Sequence, residues 1–244
     1  MIITRTPYRI SFFGGGTDFP AYYRQFGGEV LSGTINKYCY ISCRKLPPFF
    51  EYTHHIRYSR IELVQNVEEI VHPSVRECLK FLNIPFGIEM VHAGDIPAMS
   101  GVGSSSSFTV GLLHALYGLL GKMVTKRKLA FDAIDVEQNY IKENVGSQDQ
   151  CAAAFGGLNK IEFMTTGDII VNPLTIKETK LSYFQRCLLL YFTGISRFSS
   201  EIAEEQKKNM PCKYGELKIM LIREGYPSES LLSVPMFTTV DWSV

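Results

Sequence analysis

A glycine- and serine-rich stretch of the chain contains residue types that bind phosphate: residues 94–116 read GDIPAMSGVGSSSSFTVGLLHAL. Gly101 and Gly103 permit a tight loop, and apolar residues from Phe108 onward recur at helical spacing, which predicts a helix that begins near Ser104. The unpaired N–H groups and the positive dipole end of such a helix attract an anion. A serine hydroxyl there can cap the helix or bind a magnesium ion held by phosphates. The stretch therefore indicates either a phosphate site or a serine-capped core helix.

Three common glycine motifs do not account for this loop. A Walker A loop requires lysine at position 104, where the chain has Ser104. A dinucleotide-binding fingerprint requires glycine at 106 and a hydrolase nucleophile elbow requires glycine at 107, where the chain has Ser106 and Ser107. The residues thus favour none of these three classes.

A second candidate site follows the first predicted strand, in the segment TPYRISFFGGGTDFPAYY at 6–23. Glycine lets a ligand approach the backbone, Asp18 can accept hydrogen bonds from neighbouring hydroxyls of a polyol, and Arg9 can contact a phosphate. Considered alone, the same residues are also typical of an ordinary turn.

Two acidic residues form the third candidate site. Glu137 and Asp149 lie on either side of a predicted helix end at 144–146. If Asp149 begins a new helix, both carboxylates can reach one point, as phosphoryl transfer requires: one holds the metal and the other orients or deprotonates the attacking hydroxyl. Each acid taken singly is typical of a solvated or capping residue. The functional interpretation depends on the conjunction of all three sites.

The elements that must position these residues are strands in the first third of the chain and helices with fewer strands afterwards. Strands are predicted at 2–13, 30–44, 52–58 and 86–91. Helices are predicted at about 68–82, 104–120 and 125–142. After GSQDQ at 146–150 the pattern predicts a short helix and a hairpin, then a buried strand at 187–192 and a helix at about 196–209.

The composition is that of an ordinary globular protein. The 244 residues are 45% hydrophobic, enough for one large domain or two small ones. The 25 Lys and Arg balance 24 Asp and Glu to a net charge of +1, so no global charge indicates nucleic acid or an anionic membrane as a partner. The six cysteines are scattered and form no C-x-x-C pair. The sequence also shows no signal peptide and no transmembrane run, and together these features predict a reduced, cytoplasmic protein.

The conjunction of the three sites resembles the GHMP kinases, the superfamily of galacto-, homoserine, mevalonate and phosphomevalonate kinases. The second motif of the superfamily, P-x-x-x-G-x-G-S-S, is matched by Pro97, Gly101, Gly103, Ser104 and Ser105. The first motif of its sugar-kinase branch, P-G-R-x-x-x-x-G-E-H-T-D-Y, is matched by Pro7, Arg9, Gly14, Thr17 and Asp18, with Gly15 and Gly16 in place of Glu-His. That replacement, with GSQDQCAAAFGGLN at 146–159 and YFTGISRFSSEIAEEQ at 191–206, looks most like the D-glycero-D-manno-heptose 7-phosphate kinases.

The resemblance implies an α+β, two-domain GHMP kinase fold. A ribosomal protein S5 domain 2-like N-terminal domain is expected at 1–170 and a partial, ferredoxin-like C-terminal domain at 171–244, with the site between them. The C-terminal domain is expected to be incomplete because the third motif of the family, G-A-G-x-G-G, is not found in the sequence.

Roles are carried over by motif position. Asp149 is the expected catalytic residue, Arg9 its basic partner, and Ser105 with Glu137 the expected magnesium ligands. The expected nucleotide-binding residues are Pro97, Gly101, Val102, Gly103, Ser104, Ser105 and Ser106, and the expected sugar-binding residues are Gly14, Gly15, Gly16, Thr17 and Asp18. The implied cofactors are ATP and Mg²⁺, the implied partner is a small sugar phosphate rather than nucleic acid or a membrane, and a homodimer is left open.

The implied reaction is ATP-dependent phosphorylation of the anomeric hydroxyl of D-glycero-D-manno-heptose 7-phosphate, in nucleotide-heptose synthesis for surface polysaccharide. A fucose- or galactose-type 1-kinase is the nearest alternative, whereas GGGTD suits a polyol better than mevalonate. A non-catalytic relative that binds nucleotide or sugar is the alternative from another class: the missing third motif favours it, and intact Arg9, Ser105, Glu137 and Asp149 count against it.

Overall fold

The computed structural model describes residues 1–98 and 100–190, in which helices pack against a seven-stranded sheet. The strands are β1 (Ile2–Phe13), β2 (Gly28–Lys45), β3 (His54–Arg57), β4 (Ile61–Val64), β5 (Ile88–Gly94), β6 (Leu158–Phe163) and β7 (Ile169–Pro173). The helices are α1 (Pro20–Phe26), α2 (Pro73–Phe81), α3 (Ser104–Leu119), α4 (Lys126–Asp135), α5 (Gln148–Phe155) and α6 (Glu178–Arg186). A 3₁₀ turn at Val67–Glu69 and a π-helical segment at Val136–Tyr140 complete the described elements. The predicted α+β class is confirmed.

The long strand β2 organises the sheet. One of its edges pairs with β1, and its opposite edge pairs with β6 over residues 28–33 and with β5 over residues 39–45. The strand order is β4-β3-β5-β2-β6-β7 with β1 beside β2, and the β3–β5 pair is parallel. The β1–β2 register shifts between Pro7 and Arg9. Such irregularities change the direction in which the adjacent side chains point.

Helix α3 forms the centre of the core. Its side chains Leu112, Leu113, Ala115 and Leu116 are fully buried, since the helix is apolar around most of its circumference. It packs against β1 and β2 and against the helices α2, α4 and α5. This packing fixes where the N-terminus of α3 lies relative to β1 and α5.

Most predicted elements are confirmed, with boundaries shifted by a few residues. The predicted helix at 125–142 is divided, because α4 ends at Asp135 and the chain continues as the π-helical segment. The predicted strand at 187–192 is wrong over 187–190, which follow the end of α6 and form no strand. A short apolar run does not by itself distinguish a buried strand from other buried chain. Sequence reasoning also missed α1, β4 and α6.

Some predictions fall on residues 191–244, which lie outside the described residues, among them the helix at about 196–209 and most of the expected C-terminal domain. The expected domain boundary at 170/171 falls within β7, which pairs with β6; the boundary itself stays a prediction. Within residues 1–98 and 100–190, no helix has both the length and the apolar character needed to cross a bilayer.

Candidate active site

Arg9 on β1 and Asp149 in the first turn of α5 form the centre of the candidate site. The Arg9 Nε and Nη2 atoms donate to Oδ1 and Oδ2 of Asp149, both at 2.7 Å. The remaining guanidinium nitrogen, Nη1, donates to the Gly101 carbonyl at 2.9 Å, and the Arg9 backbone N–H donates to the Val102 carbonyl at 3.0 Å. One residue therefore holds both the carboxylate and the glycine-serine loop.

The glycine-serine loop reaches this ion pair through Gly103. Gly103 is the N-cap of α3 and has a φ of +73°, and no side chain caps the helix at this residue. A Cβ atom at Gly103 would lie 3.1 Å from Arg9 Cγ and 3.4 Å from Asp149 Oδ2. The first turn of α3 thus begins beside the carboxylate, and its N–H groups provide the kind of site that binds an anion.

The other predicted loop residues differ in exposure. Val102 is buried in the core and anchors the loop, whereas Pro97 and Ser105 are exposed and Ser104 is half-buried. The Pro97 carbonyl accepts a hydrogen bond from the Ser100 hydroxyl. Exposed hydroxyls and glycine backbone next to Asp149 leave room for a phosphate chain; the nucleotide contacts of these residues stay predictions.

The glycine turn after β1 is held by Thr17. The Thr17 hydroxyl donates to the Gly14 carbonyl at 2.8 Å and accepts from the Glu29 N–H at 3.2 Å. Gly14 has a φ of +83°, and a Cβ there would lie 1.8 Å from the Glu29 carbonyl oxygen, so only glycine fits. Thr17 is fully buried and supports the turn, while Gly15 at its tip is half-buried.

Asp18 joins this turn to α5. Its Oδ1 accepts the Gly16 N–H at 3.0 Å and its Oδ2 accepts the Gln148 N–H at 3.1 Å, and its carbonyl accepts the Ser147 N–H at 3.1 Å. Burial, and then the nearby charge of Asp149, raises the pKa of Asp18 to about 6. The side chain is 1% exposed, so in this conformation it positions the start of α5. Its contact with a sugar hydroxyl stays a prediction.

Glu137 lies in the π-helical segment and is fully buried. Its Oε2 accepts hydrogen bonds from the Ser106 hydroxyl at 2.8 Å and from the Gln150 amide at 2.5 Å. Burial raises the pKa of Glu137 to about 7, against the hydroxyls of Thr109 and Ser106 and the amide of Gln150, which lower it. Its second oxygen, Oε1, has no protein partner among the described residues. Ser105 was the serine expected to share a magnesium ion with Glu137, whereas the structure puts the neighbouring hydroxyl of Ser106 against it.

The unpartnered Oε1 of Glu137 is the observation that tests the predicted magnesium site. A buried carboxylate oxygen without a donor suits a hard cation, which prefers oxygen ligands. No group of three or more His, Cys, Asp or Glu side chains converges among the described residues. A Mg²⁺ ion at Glu137 would therefore take most of its ligands from phosphate oxygens and water, as this ion commonly does.

Sequence reasoning missed two amide side chains that connect these parts. Gln150 bonds to Glu137, and Gln138 donates to the Val145 carbonyl and the Ser147 hydroxyl, both at 3.1 Å. The adjacency of Gln150 to Asp149 was the available signal, but a glutamine on a helix is usually only a polar surface residue.

Comparisons with known proteins agree with this geometry. Residues 60–157 match the family model of the GHMP kinase N-terminal domain. The chain is 32% identical over 215 residues to the D-glycero-alpha-D-manno-heptose 7-phosphate kinase of Campylobacter jejuni. The aligned region covers 84% of this chain and 63% of that protein. The chain is 24% identical over 218 residues to the galactokinase of Pyrococcus furiosus, covering 84% of this chain and 57% of that one. The chain thus spans less than two thirds of the length of either relative.

Among solved structures, a D-glycero-D-manno-heptose 1-phosphate kinase from Bacteroides thetaiotaomicron superposes with a TM-score of 0.72 and 25% identity. The match covers 89% of this chain and 73% of that one. Sequence and fold agree with the motifs around Arg9, Gly103 and Asp149, and residues 60–157 are therefore similar to the N-terminal domain of the GHMP kinases.

Proposed function

We propose that this chain provides the catalytic centre of a cytoplasmic, ATP- and magnesium-dependent sugar-phosphate kinase. The proposed reaction transfers the γ-phosphoryl group of ATP to the anomeric hydroxyl of D-glycero-D-manno-heptose 7-phosphate and yields the 1,7-bisphosphate and ADP, a step toward nucleotide-activated heptose for surface polysaccharide. The observation that carries the proposal is the ion pair of Arg9 with Asp149, which two hydrogen bonds hold beside the N-terminus of α3. The 32% identity to a heptose 7-phosphate kinase supports the choice of substrate.

Asp149 has the geometry of the residue that accepts the proton of the sugar hydroxyl. Its side chain is 24% exposed, so a sugar hydroxyl can reach a carboxylate that Arg9 already holds in one orientation. The carboxylate accepts the hydroxyl proton while the hydroxyl oxygen bonds to the γ-phosphorus and the bond to the β,γ-bridging oxygen breaks, with ADP as the leaving group. Arg9 keeps a positive charge next to this developing negative charge.

The loop from Gly101 to Ser106 is the proposed phosphate site. Backbone N–H groups at the start of α3 and the hydroxyls of Ser104 and Ser105 can contact phosphate oxygens without a lysine. The proposed protein ligands of Mg²⁺ are Glu137 and either Ser105 or Ser106. When bound, this ion neutralises phosphate charge in the transition state.

The glycine turn is the proposed sugar side of the site. Gly15 and Gly16 place no side chain where the sugar-kinase branch has Glu-His, which leaves room for a larger sugar. Similarity to a galactokinase keeps a galactose- or fucose-type 1-kinase as the second candidate. The intact pair of Arg9 and Asp149 disfavours a purely binding relative, since binding alone does not require it.

A coupled ADP-release assay tests the proposal. The chain is supplied with ATP, Mg²⁺ and, in turn, D-glycero-D-manno-heptose 7-phosphate, the free heptose, fucose and galactose, with Asp149→Asn as the control. We expect turnover with the heptose 7-phosphate, and a rate about 10²- to 10⁴-fold lower in the variant. Preference for fucose or galactose would support the second candidate. Nucleotide binding without turnover on any sugar would support the binding relative.

A further inference from the structure

We infer that Gln150 is a positioning residue that orients the Glu137 carboxylate so that one of its oxygens is presented to a divalent cation. The inference rests on the proposed function, because that function expects a cation at Glu137. It concerns a residue of the segment quoted at 146–159 to which the resemblance assigned no role.

Two donors converge on one oxygen of Glu137. The Gln150 Nε2 atom lies 2.5 Å from Oε2, and the Ser106 hydroxyl lies 2.8 Å from the same atom. All three side chains are at most 3% exposed, so water does not compete for these bonds. Two hydrogen bonds to Oε2 fix the plane of the carboxylate and leave Oε1 as the free oxygen.

A second observation points to a ligand at this place. Both Glu137 Oε1 and Gln150 Oε1 are buried oxygens without a hydrogen-bond donor among the described residues. The Thr109 hydroxyl lies near enough to influence Glu137, but it donates its proton to the Ser105 carbonyl at 3.2 Å. Buried polar atoms nearly always have a hydrogen-bond partner. Two oxygens without a donor, on two side chains that are hydrogen-bonded to each other, are therefore unusual. A hard cation, or a water molecule bound to it, satisfies oxygens of this kind.

The chemistry of an amide suits this role better than that of a charged donor. A lysine at 150 would neutralise Glu137 and compete with the cation, whereas glutamine supplies an N–H and leaves the negative charge in place. Partners that orient a metal-binding carboxylate typically contribute 10- to 100-fold to metal affinity.

The fold explains how one glutamine can reach Glu137. Gln150 lies one residue after Asp149 in the first turn of α5, and the π-helical segment supplies Glu137 from the opposite side. Gln138, the next residue of the same segment, bonds to the chain just before α5. Single π-helical turns occur frequently at functional sites. Gln150 therefore links the expected cation ligand to the helix that carries the expected catalytic carboxylate.

The test measures binding rather than turnover. Isothermal titration of the full chain with the non-hydrolysable ATP analogue AMP-PNP is carried out with saturating Mg²⁺ and again with EDTA, and the ratio of the two Kd values reports the contribution of the cation. Gln150→Met keeps the length of the side chain and removes its donor. Gln138→Met is the matched control, since it removes an amide from the same region without touching Glu137.

We expect Mg²⁺ to tighten binding in the wild-type chain and in Gln138→Met. In Gln150→Met the Mg²⁺-dependent part of the affinity should fall by about 10-fold or more, with the Kd in EDTA unchanged. A full Mg²⁺ effect in Gln150→Met would overturn the inference and leave the proposed function intact. Wild-type binding that does not respond to Mg²⁺ would overturn the proposed cation site and the inference together.

Thermal unfolding of each variant shows whether it folds. If Gln150→Met does not fold, Gln150→Asn replaces it: the amide stays polar but is one methylene too short to reach Glu137. The same loss of the Mg²⁺ effect is then expected.

Discussion

Arg9 and Asp149 are 140 positions apart in the chain, yet two parallel hydrogen bonds of 2.7 Å join the guanidinium to the carboxylate. A planar fork of this kind fixes both the position and the plane of the carboxylate, which a single point charge cannot do. Because Arg9 also bonds to the Gly101 and Val102 carbonyls, the same residue sets the distance between the carboxylate and the start of α3. The pair is therefore the geometric reference for the whole site.

The first prediction concerns the two hydrogen bonds between the Arg9 guanidinium and the Asp149 carboxylate. Arg9→Lys keeps the positive charge but cannot bond to both carboxylate oxygens and to Gly101 at once. We expect kcat to fall about 10²-fold, since small misplacements of a reacting group have effects of this size. The Kd for nucleotide should change by less, because the backbone N–H of residue 9 still holds the Val102 carbonyl of the loop. Steady-state kinetics and titration with AMP-PNP measure the two quantities.

A matched control is available on the sheet. Arg44 on β2 also pairs with a carboxylate, that of Glu89 on β5, away from the candidate site. Arg44→Lys is expected to leave kcat at the wild-type value. Equal losses in Arg9→Lys and Arg44→Lys would mean that the substitution acts through general stability rather than through Asp149.

The second prediction compares two glycines with the same backbone conformation. Gly103 and Gly121, at the two ends of α3, have φ angles of +73° and +69°. Alanine at either position adopts a left-handed conformation at a cost of about 1 kcal/mol. A Cβ at Gly121 meets no atom within 4 Å, whereas at Gly103 it crowds Arg9 and Asp149.

Both alanine variants should therefore lose stability in urea denaturation, Gly103→Ala at least as much as Gly121→Ala, and only Gly103→Ala should lose turnover, by about 10²-fold. Full activity in Gly103→Ala would contradict the close approach of the loop to the ion pair. A Gly121→Ala variant that loses activity as well would assign the effect to α3 as a whole.

The third prediction concerns the contact between Gly146 and Asp18. A Cβ at Gly146 would lie 1.8 Å from Asp18 Oδ2, and the buried Asp18 carboxylate cannot move aside without losing the N–H groups of Gly16 and Gln148. Gly146→Ala is expected to lower the free energy of unfolding by on the order of 3 kcal/mol.

A double-mutant cycle tests whether Asp18 is the cause. In an Asp18→Ala background the obstructing carboxylate is absent, so Gly146→Ala should cost at least about 1 kcal/mol less than it does in the wild type. Strict additivity of the two changes would place the effect of Gly146→Ala elsewhere, for example in its backbone conformation.

The sequence predicts the parts of this site better than their mutual contacts. Strand β1 and helix α3 were predictable within about two residues, because a regular period in a long segment constrains both the type of element and its ends. The sequence likewise pointed to Arg9, Asp149 and Glu137, because their residue types suit phosphoryl-transfer chemistry; their roles stay predictions. A short element such as β4 at the edge of the sheet has too few residues to show a period.

The choice between Ser105 and Ser106 shows what sequence could not supply. Consecutive residues on a helix point about 100° apart, so only one of two adjacent serines in the first turn of α3 can face Glu137. The rotation of α3 is set by the packing of its apolar side chains against the sheet, which a motif does not contain. For the same reason Gln150 became recognisable only when α5 and the π-helical segment were seen together.

The final prediction uses the titration of Asp18. An aspartate in an unfolded chain has a pKa of about 3.9, and burial together with the charge of Asp149 raises the pKa of Asp18 in the folded protein to about 6. Between these two values the folded protein binds a proton that the unfolded chain has released. The contribution of Asp18 to the free energy of unfolding therefore decreases as pH rises through this window, and it is constant above and below it.

Asp18→Asn removes this titration and isolates it from the other carboxylates. Urea denaturation of both proteins at a series of pH values should show the wild type losing up to about 3 kcal/mol relative to the variant between about pH 4 and pH 7. Two curves that stay parallel would mean that the pKa of Asp18 is the same in the folded protein as in the unfolded chain, in conflict with its burial. A wild type that gains stability relative to the variant as pH rises would reverse the sign, and would show that the N–H groups of Gly16 and Gln148 outweigh the cost of burying the charge.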